Sequence, residues 1–134
     1  MASITREIHI DADPAAVWDA LRDFDAVHER LVPGFVVDCR VEGGGDRIVT
    51  FFTGTVARKR LVTADDAGRR LVYTVVESAM GATHHNAAAQ VVADGPGGTR
   101  FTWTTDVLPD ALAGPIGDLM DRGIAVIEET LTGR

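Results

Sequence analysis

Apolar and polar positions alternate over residues 3–11, with Ile4, Ile8 and Ile10 on one face and Arg6 interrupting it. This period of two predicts a first strand with one buried side. Asp13 then offers a side-chain cap and Pro14 suits a first helical position, while Val17, Trp18, Leu21 and Phe24 follow at helical spacing. A second short helix is expected over 25–31, stopped by Pro33-Gly34. From Phe35 the period changes to short runs rich in Val, Thr and aromatic residues at 35–42, 47–53, 55–63, 69–78, 83–93 and 99–107. Glycine- and aspartate-rich segments at 43–46, 65–68 and 94–98 supply turns, and Gly54 marks a bend or bulge. Beyond Pro109 a long amphipathic helix is predicted, its regular part beginning near Pro115. Ile116, Leu119, Met120, Gly123, Ile124, Ile127 and Leu131 form its apolar stripe, and Asp118, Asp121, Arg122, Glu128 and Glu129 fall mostly off it.

Strand, two short helices, six strands and a terminal helix make an α+β layout, in which a curved sheet buries its apolar face on the last helix. This order is combined with Asp13-Pro14-Ala15-Ala16-Val17-Trp18 near the start, Arg69-Arg70-Leu71-Val72-Tyr73 in mid-sheet and Gly98-Thr99-Arg100-Phe101-Thr102-Trp103 late. Together they resemble the START/polyketide-cyclase (SRPBCC) superfamily, over essentially the whole chain. The resemblance implies a helix-grip fold: a seven-stranded antiparallel sheet wrapped around the C-terminal helix, with a ligand cavity between them. Its members include lipid carriers, hormone receptors and aromatic cyclases, so the fold alone does not choose a function.

A length of 134 residues fits one domain, read as 1–134. The net charge of -7 disfavours nucleic acid and anionic lipid surfaces, and no basic run exceeds Arg58-Lys59-Arg60. A single cysteine, Cys39, can form no internal disulfide, which fits a reducing compartment. Residues 1–11 lack a signal-peptide hydrophobic region, and no later run approaches the roughly 20 apolar residues of a membrane span, so a cytoplasmic location without membrane insertion is expected. No nucleophile elbow, phosphate loop or dinucleotide fingerprint occurs, so no cofactor is expected. His84 and His85 point to opposite faces of one strand and cannot grip one ion, so no metal is expected either. Monomer and homodimer both remain open.

Small residues on inward positions point to an incompletely filled interior. Gly123 stands in the helical stripe where a larger residue would project, and Ala87-Ala88-Ala89 lies inside a strand although Ala is a poor strand former. The alternative is that these residues make room for Trp103, Phe101 or Phe51. Which polar side chains face the interior depends on the loop near residues 79–82, because each added residue flips the alternation. An odd loop puts Leu71, Tyr73, Val75 and Glu77 on one face with His85, Ala87, Ala89 and Val91, and an even one substitutes His84, Asn86, Ala88 and Gln90. The odd form is preferred because it groups apolar residues and continues through Phe101, Trp103, Thr105 and Val107. Glu77 beside His85 would then raise the imidazole's basicity and make His85 a general-base candidate, although an inward histidine is more often a hydrogen-bonded core residue. An inward Arg among Arg47, Arg58 and Arg60 could bind a ligand carboxylate or phenolate bidentately, as the register decides, but a solvated outer face is expected for most of them.

The leading expectation is a protein that binds a small hydrophobic or aromatic molecule, as carrier, sequestering agent or sensor. Its site would be lined by Phe51, Tyr73, Glu77, His85, Trp103, Leu119, Met120, Gly123 and Ile127. The alternative is a cyclase or dehydratase on a polyketide-like substrate, with His85 or Glu77 moving a proton. A third is a protein-interaction module with a filled core.

Overall fold

The structure, a computed structural model, describes residues 1–133. Strand β1 (Ala2–Ile10) leads to α1 (Pro14–Arg22), a 3₁₀ turn at Phe24–Ala26 and the single-turn α2 (Val27–Arg30). Six strands follow: β2 (Val36–Glu42), β3 (Asp46–Phe51), β4 (Val56–Asp65), β5 (Arg70–Ser78), β6 (His84–Ala93) and β7 (Thr99–Leu108). A second 3₁₀ turn at Asp110–Leu112 opens α3 (Ala113–Leu131). The sheet order is β1-β7-β6-β5-β4-β3-β2, antiparallel throughout. The two short helices therefore carry the chain from one edge of the sheet to the other, and the meander returns strand by strand until β7 pairs with β1.

Local chemistry sets these elements. The Asp13 carboxylate accepts from the Ala15 amide at 2.9 Å, satisfying one of the free donors at the start of α1, and Pro14 takes the first helical position. The predicted helix over 25–31 divides into the 3₁₀ turn and α2. Helix α3 begins two residues before Pro115, which is tolerated because the first-turn amides have no partner inside the helix. Asp66, in the β4–β5 turn, accepts from the Trp18 indole at 2.9 Å and from Arg22 at 2.8 Å, tying α1 to that turn.

The main core runs from Ile10 and α1 through Phe24, Leu31 and Phe35 to the concave faces of β3 to β7 and the C-terminal half of α3. A smaller cluster of Ile4, Val107, Ile116 and Met120 lies under the N-terminal half of α3. Arg6, which broke the apolar pattern of β1, reaches Asp121 on α3 at 2.5 Å and lies beside Gly117.

Gly123 has a role other than the one expected from its place in the stripe. A Cβ there would stand 3.1 Å from Cζ3 of Trp103 and 3.3 Å from Cε2 of Phe35, so the glycine lets two rings rest on the helix backbone and does not itself line a void. We expect Gly123→Leu to overpack this junction, lowering stability by about 1–3 kcal/mol in denaturant unfolding and shifting Trp103 fluorescence.

Candidate functional site

The concave face of the sheet and the helices laid on it enclose a cavity of about 340 Å³. Strand alternation brings Arg47, Val49 and Phe51 of β3, Ala57 and Lys59 of β4, and Leu71, Tyr73 and Val75 of β5 to its wall. His85 and Ala89 of β6 and Phe101, Trp103 and Thr105 of β7 continue it. Leu21, Phe24, Val27 and Leu31 close one side, and Ile116, Leu119, Met120 and Ile127 of α3 the other. Thr53 is exposed, and Thr55, Ser78, Met80 and Leu119 are partly so; they come from the β3–β4 loop, the end of β5 and its following loop, and α3, and form the mouth.

The register has the odd form. Leu71 stands opposite Ala89 and Tyr73 opposite Ala87, while Ala87 faces Thr105, Ala89 faces Trp103 and His85 faces Val107. His85 is thereby on the concave side. Glu77 is not, contrary to expectation. The β4–β5 ladder pairs Lys59 with Val75 but Arg58 with Glu77, so Val76 is an extra residue in β5. This bulge inverts the alternation beyond it: Glu77 turns outward, its side chain 79% exposed and 3.7 Å from Arg58, while Ser78 takes the inward place. Of the other residues singled out, Phe51, Tyr73, His85, Trp103, Leu119, Met120 and Ile127 stand on the cavity wall. Gly123 lies behind Trp103, as described above.

Without Glu77, His85 has no carboxylate to raise its basicity. Burial pulls the imidazole down to about 4, with Lys59 and His84 adding to the shift, and its Nδ1 is buried without a hydrogen-bond partner. The ring is neutral at pH 7. Burial also pushes the Tyr73 phenol up, with Arg47 and the Trp103 indole opposing.

Two cations that the sequence reading left off the site belong to it. Arg47 is only 5% exposed; its Cζ lies 3.4 Å from the centre of the Phe24 ring, one Nη donates to the Phe24 carbonyl, and Nε is without a partner. Lys59 Nζ sits 4.9 Å from the Tyr73 ring centre and 5.2 Å from that of Phe51. Burial, reinforced by Arg47, lowers the Lys59 ammonium to about 7, and burial lowers Arg47 to about 10. Arg58 and Arg60 do point outward, both onto the buried Asp46 carboxylate, at 3.1 and 2.7 Å. A signal for Lys59 was present: in a strand reading Arg58-Lys59-Arg60, two outward arginines force the lysine between them inward. Among the described residues there is no His, Cys, Asp and Glu grouping able to hold a metal ion.

The Lys59 shift carries a signed consequence. Its folded-state value near 7 lies below the ordinary 10.5, so between these values the unfolded chain binds more protons and stability rises with pH. We expect thermal stability to increase from slightly below neutral to mildly alkaline pH, with a slope approaching about 1.4 kcal/mol per pH unit. Lys59→Met is expected to raise the melting temperature at neutral pH and flatten this slope, as calorimetry across that range would show.

A family described as "Polyketide cyclase / dehydrase and lipid transport" matches residues 1–132. No curated protein matches the sequence. Among solved structures, a protein from Thermobifida fusca is similar at 29% identity and a TM-score of 0.80, over 96% of this chain and 92% of that one. A START superfamily protein from Mycobacterium smegmatis superposes with a TM-score of 0.70 at 16% identity, over 97% and 99% of the two chains. Norcoclaurine synthase from Thalictrum flavum does so at 0.73 and 17%, over 97% and 83%. The last two show a shared fold. No helix among the described residues is long and apolar enough to cross a membrane.

Proposed function

The chain belongs to the polyketide cyclase/dehydrase and lipid transport family, and we propose that it binds a small hydrophobic or aromatic molecule in the cavity between the sheet and α3, as a carrier, sequestering agent or sensor. The observation that carries this reading is the cavity itself: about 340 Å³ in the heart of the domain, walled mostly by aliphatic and aromatic side chains, with a mouth between loops and α3. Protein interiors are normally close-packed, and a void of this size forfeits contacts that a few larger residues would restore. A filled core serving only as a scaffold for a protein partner is correspondingly disfavoured.

A neutral apolar fluorophore such as N-phenyl-1-naphthylamine tests the reading directly. Its emission should rise on binding. Ala89→Phe and Leu119→Trp, which add bulk from the sheet wall and from α3, should each weaken binding by at least about tenfold with secondary structure retained. Unchanged binding in both folded variants would place the fluorophore elsewhere and sink the proposal. Native mass spectrometry of freshly purified protein should also detect a co-purifying small molecule.

One observation favours cyclase or dehydratase chemistry as a second reading. General bases work best near the operating pH, and it is the Lys59 amine near 7, not the His85 imidazole near 4, that meets this condition. On this reading the protein accelerates hydrogen–deuterium exchange at the central carbon of a β-diketone in D₂O, and Lys59→Met removes the acceleration. Exchange at the uncatalysed rate would leave binding alone.

A further inference from the structure

Arg47 and Lys59 face each other across the β3–β4 ladder on the concave side of the sheet, and both flank the ring of Tyr73. Like charges directly opposite on one face of a sheet repel, and neither has an acid to offset it. Among the described residues no carboxylate lies within ion-pairing distance of either. Asp46, next to Arg47, turns outward onto Arg58 and Arg60. Asp25, whose charge acts on Arg47 from the α1–α2 side, is exposed. Partial compensation comes from the Phe24 carbonyl and from the faces of Phe24, Phe51 and Tyr73, but Nε of Arg47 remains buried and without a partner. The chain as a whole carries a net charge of -7, so this pair is a local reversal of sign inside an otherwise acidic molecule.

We propose that the molecule taken by this cavity is an organic acid: an apolar body with one oxyanion, a carboxylate or an ionised phenol or enol, seated between Arg47 and Lys59. The inference rests on the cavity-binding reading above and adds the headgroup. An oxyanion there would accept from both cations and neutralise two charges that the fold leaves uncompensated, in surroundings of low polarity where such contacts are strongest. Its apolar part would lie against Phe101, Trp103 and Met120.

The test compares 2-naphthoate with 2-naphthamide, nearly isosteric molecules that differ in charge, as competitors of N-phenyl-1-naphthylamine at slightly below neutral pH. In the wild-type protein the acid should displace the fluorophore at least about tenfold more effectively than the amide, the lower range for charge-assisted hydrogen bonds. The acid-to-amide ratio should fall to near unity in Lys59→Met, a variant expected to be more stable than the parent, and fall likewise in Arg47→Met. If the fluorophore binds but the acid is no better than the amide, the headgroup assignment is wrong and the cavity reading stands. A ratio that persists in the folded Lys59→Met and Arg47→Met proteins also overturns it, because the charge is then read elsewhere. Failure of the fluorophore and both competitors to bind would remove the cavity reading, and this inference with it.

Discussion

The structure depends on a mismatch of widths. Seven antiparallel strands spaced roughly 4.8 Å apart present a face about 29 Å across, whereas one α-helix with its side chains is only about 10–12 Å wide. Helix α3 packs on β1 and over Trp103, the short helix α2 lies against the opposite edge strand β2, and α1 lies against β6. The strands between them curve around a space that neither cover fills. The cavity thus follows from the architecture, and the side chains on its wall decide how much remains and what it can hold.

Two local features shape that space. The glycine at 123 brings the Trp103 and Phe35 rings onto the helix backbone, fixing one wall, while Ala89 keeps the sheet side shallow. The bulge at Val76 acts on chemistry more than on volume. By adding one residue to β5 it exports a carboxylate to the surface and puts a serine near the mouth. Had the ladder continued without interruption, Glu77 would have stood on the concave face with His85 and Lys59. As it is, the titratable groups on the cavity wall are Arg47, Lys59, the neutral His85 imidazole and the Tyr73 phenol, with no carboxylate among them. Such a set is matched to receiving negative charge from outside the chain. It is poorly matched to a histidine–carboxylate mechanism.

Periodicity by itself determined the order and nature of the elements: each strand run, both short helical segments and α3 fall within a few residues of their predicted limits. The superfamily and the helix-grip architecture were legible through a resemblance, carried by this element order together with the segments at 13–18, 69–73 and 98–103. The odd register of β5 against β6, which puts His85 inside, was the preferred of two readings because it groups apolar residues on one face, but the sequence left the choice between His84 and His85 open. Only the tertiary structure decided the composition of the site. A bulge depends on how two strands twist past each other, and it moved Glu77 out. The space in front of Gly123 depends on rings from β7 and from the loop before β2, and it made that glycine a packing contact. Arg47 and Lys59 became neighbours through a pairing between strands, so nothing at either position alone could show that two cations share one buried face.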